Sequence, residues 1–134
     1  MDIIAYEDLK NGLKVFNDKM GKLHGNIIVS YPTSKTTYPH TVFDEIRNVA
    51  TTMDSDFERV ASTGYSARIY AKTKGNIDKQ TIAREVAQMV DKFLSSFNLK
   101  RISFNANESM NDNSIYEIVM TYSGNLHENR RKFI

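Results

Sequence analysis

The chain contains no cysteine, which excludes a disulfide framework and a thiolate metal site and leaves the redox compartment open. No apolar run approaches the ~20 residues that a membrane span needs. The N-terminal stretch Met1 to Asp8 lacks the basic start and long apolar centre of a signal peptide, so a cytoplasmic protein is the expectation. Charge of one sign is also scarce. Eighteen Lys and Arg against 16 Asp and Glu leave +2, too small an excess to argue a nucleic-acid surface from charge alone.

Catalytic equipment is equally thin. His24, His40 and His127 lie far apart in loops or strand ends, without a second histidine or a carboxylate at helical ligand spacing. Exposed surface histidines are the simpler reading, and no metal is expected. Asp44 and Glu45 are adjacent, so on a strand they point to opposite faces and make no carboxylate pair by themselves. The segment Lys72-Thr73-Lys74-Gly75-Asn76 precedes a helix but lacks the phosphate-loop pattern. A helix N-terminus with two lysines nearby offers an anion a site; a solvated turn is the plainer account. No serine stands in a nucleophile-elbow context. The residues give no support for an enzyme, and no cofactor is expected.

What is present suits one soluble domain: 134 residues, 40% hydrophobic and 25% charged, without internal repeat or linker. Tyr65 to Lys72 alternates, with Tyr65, Ala67, Ile69 and Ala71 on one face of a strand. A polar turn follows, and from Asp78 the apolar period changes to about 3.6. Ile82, Val86, Met89, Val90, Phe93 and Phe97 form a stripe, flanked by Ala83, Ala87 and Leu94, with Asn76 or Asp78 as cap. Burying each large side chain of that stripe is worth roughly 1.5–3 kcal/mol, so the helix requires a partner sheet.

Around this centre, residues 3–20 read as a first helix with Ile4, Leu9, Leu13, Phe16 and Met20 near one face. Gly12 weakens its middle by about 1 kcal/mol relative to alanine. Residues 27–31 form a short edge strand, 32–39 a loop, and 40–46 a strand that pairs with 65–72 across a hairpin. Between them, residues 48–63 have no core pattern and are expected to project as two strand extensions with a mobile tip. A strand at 99–104, turn chemistry at 105–113 and a strand at 114–123 follow, the last with Tyr116, Ile118, Met120 and Tyr122 on one face. Residues 124–134 are expected to be a flexible tail. The fold class is α+β: an antiparallel sheet of about four strands with two helices on one face, in the order α-(β)-β-β-α-β-β.

Helices on one side of a sheet also suit a small module for double-stranded nucleic acid, with Tyr65, Tyr70, Tyr116 and Tyr122 as stacking platforms. Against that, the second helix opens Asp78-Lys79-Gln80-Thr81 and continues Arg84-Glu85, mixed in charge where a phosphate-binding helix is basic. Tyrosines at alternating strand positions are more often core or interface residues.

A family resemblance runs from about residue 38 to 123. Tyr38-Pro39 leads into Val42-Phe43-Asp44-Glu45. The strand Tyr65 to Lys72, the amphipathic helix and Leu99-Lys100-Arg101 follow, and an Asn/Asp turn feeds the closing strand Ser114 to Tyr122. Together these resemble the tail completion, or tail terminator, proteins of long flexible-tailed phages and related prophages of Gram-positive bacteria. The order of elements and the closing Ile-Tyr strand carry the resemblance; no single motif is diagnostic. It implies a non-enzymatic virion protein at the head–tail joint, made in the bacterial host cytoplasm and needing no cofactor. Such a protein stops tube polymerisation and joins tail to head, typically as a six-membered ring. The implied partners are copies of itself, the tail tube protein and a head completion or neck protein, with DNA passing through unread and no membrane. The candidates for ring contact or inner wall are Met53, Asp54, Asp56, Phe57 and Glu58, where an acidic lumen would repel DNA; Arg130, Arg131 and Lys132 are the candidate docking tail. A neck protein on the head side is the nearer alternative, and the nucleic-acid module the more distant one.

Overall fold

In the computed structural model the described residues are 4–19, 28–29, 38–53, 59–108, 114–127 and 132–133. The elements are α1 (Ile4–Lys19), β1 (Ile28–Val29), β2 (His40–Met53), β3 (Arg59–Lys72), α2 (Lys79–Ser95), β4 (Lys100–Glu108), β5 (Ile115–His127) and β6 (Lys132–Phe133). The sheet runs β1-β2-β3-β5-β4, with β6 beside β5. Its four long strands, β2, β3, β5 and β4, are antiparallel, which establishes the α+β class read from the sequence. The short β1 pairs with β2 in parallel, at Thr41 and Val42 only.

The strand periodicity decides what the helices cover. Tyr65, Ala67, Ile69 and Ala71 of β3 are buried beside Tyr116, Ile118, Met120 and Tyr122 of β5, with Phe43 of β2 in the same core. Phe43 stacks on Tyr65, ring centroids 5.6 Å apart. Helix α2 lays Ile82, Ala83, Val86, Ala87, Met89, Val90, Phe93 and Leu94 into this core, as its apolar period requires. Asp78 caps it, its carboxylate accepting from the Gln80 N–H at 3.3 Å. Ahead of the cap, Lys74 and Ile77 exchange two backbone hydrogen bonds of 3.0 Å around Gly75, whose φ of +60° suits glycine. Helix α1 packs on α2 and β2, with Leu9 and Leu13 buried; the side chains of Ile4 and Phe16, and Met20 altogether, lie outside the described residues.

Four expectations change and one holds. Phe97 is not part of the buried stripe: α2 ends at Ser95 and Phe97 is 45% exposed, its ring 5.0 Å from that of Phe93. Residues 48–53 and 59–63 are strand extensions, as expected, with the β2–β3 ladder continuing to the pair Met53↔Arg59; the tip between them lies outside the described residues. The turn expected from Asn105 is strand as far as Glu108, since Asn105, Ala106, Asn107 and Glu108 pair with Val119 to Tyr116. The stretch expected to be a flexible tail is strand through His127, held by β3 on one side and by Lys132 and Phe133 on the other. Finally, His40 is no surface histidine: it is 1% exposed and sits between the rings of Tyr38 and Tyr70, at 4.7 and 5.1 Å.

Candidate docking surface

The candidate site is a surface at the edge of the sheet, where β4 meets α2. Strand β4 is the last of its sheet and reads Lys100-Arg101-Ile102-Ser103-Phe104-Asn105-Ala106-Asn107-Glu108, too polar for a central strand. On its helix side, Arg101 and Phe104 lie opposite Tyr122 and Met120 of β5. Above them, Arg84, Gln88 and Asp91 line one side of α2 at spacings of four and three. These residues, with Ala87 and Met120, enclose a groove of about 300 Å³ along the sheet edge.

The groove is polarised. The Tyr122 hydroxyl donates to Asp91 Oδ1 at 2.6 Å, and Arg101 Nη1 stands 3.5 Å from the same oxygen. Burial, then the neighbouring Asp91 carboxylate, holds the Tyr122 phenol well above the usual tyrosine range, so it stays a donor. Phe104, 38% exposed, lies between two guanidiniums, with Arg84 at 5.9 Å and Arg101 at 5.7 Å from its ring centre. Arg101 stands beside Asp91 and Arg84 over Phe104, so the groove combines two guanidiniums, one carboxylate and an exposed ring. Nothing in it pairs a nucleophile with a base.

The residues chosen from the sequence fall elsewhere. Met53 ends β2 opposite Arg59, and its side chain, like Asp54, Asp56, Phe57 and Glu58, lies outside the described residues. Arg130 and Arg131 do as well, whereas Lys132 pairs with His127 in β6. Asp44 and Glu45 sit opposite Ser66 and Tyr65, on opposite faces as expected. The lysine-flanked helix start is already occupied. The Lys79 N–H donates to Thr73 Oγ1 at 3.3 Å, and Lys79 Nζ meets Glu108 Oε1 at 3.2 Å. Tyr65, Tyr116 and Tyr122 are buried in the core beneath the helices, which takes three of the four stacking platforms away from any base. Among the described residues no three His, Asp or Glu gather as metal ligands, and no helix is long and apolar enough to cross a membrane.

Sequence reasoning missed Arg84, Asp91, Arg101 and Phe104. Each reads alone as a solvated helix face or an ordinary strand residue, and only the β4–β5 register brings them together. Compared with known proteins, the chain matches no protein-family model and no curated protein.

Proposed function

We propose that the protein is a virion assembly protein that caps the head-proximal end of a phage tail tube, ends its polymerisation and joins tail to head as a ring. The supporting observation is a sheet with one face under helices and, among the described residues, two different edges without a strand partner. A subunit with two unlike, complementary edges associates head to tail, and such contacts close into rings or run on as filaments. Here the edges are the terminal strand β4 and the part of β2 beyond the short β1. The face away from the helices carries Arg47, Arg68, Lys72 and Lys100 against Asp44 and Glu117, a mildly basic surface with mixed charge. The order of elements shared with tail terminators supports the same reading.

The test adds purified protein to tail tubes lacking their terminator and, separately, to DNA-filled heads. Binding at one tube end that halts further growth is the expected result. Binding to heads alone moves the protein to the neck. Binding to neither overturns the proposal, and salt-dependent affinity for duplex nucleic acid in its place would favour a nucleic-acid module.

A further inference from the structure

Both edges carry a bulge at nearly the same level; β2 has a second irregularity between Ala50 and Thr52, past the end of β4. On β2, Glu45 pairs with Tyr65 and Arg47 with Gly64, which leaves Ile46 as the extra residue of a bulge. On β4, Arg101 pairs with Tyr122 and Ser103 with Thr121, which leaves Ile102 extra. Tyr65 itself pairs with Tyr122, so the two bulges flank one row of the sheet, one step to either side of it, on opposite edges. Each isoleucine is 57% exposed. Gly64 makes room for the first bulge: a Cβ there would lie 3.2 Å from Ile46 Cγ1 and 3.3 Å from Arg47 Cβ.

A bulge on an edge discourages pairing with a flat strand. Two edges that each carry one extra residue within the same three rows have equal counts over them, and so fit each other better than either fits a flat strand. Asp44 to Arg47 spans the level of Gly64 to Ser66, and Lys100 to Ser103 spans that of Thr121 to Ser123. Direction also agrees. Because β2, β3, β5 and β4 alternate, a second copy that continues the sheet brings its β2 antiparallel to β4.

We infer that β4 of one copy pairs antiparallel with β2 of the next, Lys100 to Ser103 running opposite Arg47 to Asp44. The inference rests on the ring reading above and names its seam. In that register Arg101 and the neighbour's Glu45 fall on the helix side within one residue of each other, and Lys100 and the neighbour's Asp44 share the opposite face. Lys100 faces Arg47 directly, but that guanidinium is turned back on its own chain, donating to the Thr63 carbonyl at 3.4 Å. The two isoleucines leave water at the same seam.

The absence of native cysteine makes covalent capture clean. A chain carrying both Glu45→Cys and Ile102→Cys is oxidised at high protein concentration and run under non-reducing conditions. The two positions lie on opposite edges of a four-strand stack, about 14 Å apart at the usual strand spacing, too far for a bond within one chain. The expected result is a ladder of covalent oligomers that collapses on reduction, with Asp44→Cys plus Ser103→Cys laddering as well. An off-register pair, Glu45→Cys plus Asn107→Cys, should give at least tenfold less. No ladder from either matched pair, or equal ladders from matched and off-register pairs, overturns the seam. Ladders without tube capping leave the seam standing and remove the tail-terminator reading; capping without ladders does the reverse.

Discussion

Gly12 and Tyr122 show what single residues do that their types do not announce. In helix propensity Gly12 costs α1 about 1 kcal/mol relative to alanine, and from the sequence it is only a weakness. In the structure a Cβ there would stand 2.9 Å from Phe93 Cζ, so the glycine lets α1 approach α2. Tyr122 reads as an ordinary core residue, yet its hydroxyl ties the sheet to α2 through Asp91. Its raised pKa has a definite consequence with pH. Below the unfolded tyrosine value of about 10 the phenol is neutral in both states and its contribution is complete. As pH rises past that value the unfolded chain loses the proton while the folded chain keeps it. Stability therefore falls by at most about 1.4 kcal/mol per pH unit from this group. Tyr122→Phe should cost about 1 kcal/mol at pH 7 through the lost hydrogen bond. The gap between variant and parent should narrow between pH 10 and 11. Urea titrations of both proteins across that range check this, and a constant gap would contradict it.

Helix α2 was legible because eight of its residues repeat at helical spacing and all eight are buried. Its end was not. Phe97 satisfies the arithmetic of the stripe, but Ser96 and Phe97 already bond in a tighter turn, and Asn98 at φ 65° closes the helix. Ile82→Ala and Leu94→Ala should each cost about 2–5 kcal/mol, with Phe97→Ser within about 0.5 kcal/mol of the parent. Denaturant midpoints at constant m-value measure all three. A Phe97→Ser loss as large as the other two would mean that the ring is buried after all. Strand β4 was half legible for the opposite reason. Asparagines at 105 and 107 spell turn chemistry, and an edge strand tolerates them because both side chains stay in water. Only Ala106, packed against the core, marks the segment as strand, and one alanine is too little signal.

For the molecule as a whole, the layers followed from periodicity, whereas the groove did not, since Arg84, Asp91, Arg101 and Phe104 meet only after α2 and β4 have docked on β5. Local pattern specifies what is buried; it says little about which exposed residues become neighbours. The acidic tip differs from both. Its residues were singled out because the sequence shows no core pattern there, and Asp54 to Glu58 lie outside the described residues. Removing Thr52 to Glu58 leaves the pair Ala50↔Ala61 to close around Thr51, Arg59 and Val60, a three-residue connection that a hairpin accepts. The shortened protein should keep its circular dichroism and melt within a few degrees of the parent. If the tip contacts a neighbouring subunit or the lumen, the same protein should fail to join tails to heads, scored by electron microscopy and by infectious particles. Folding and joining are thereby separated. A shortened chain that folds and joins normally would reject Asp54, Asp56 and Glu58 as contacts, whereas failure of joining with the fold intact would leave the tip as the part through which the subunit meets its neighbours.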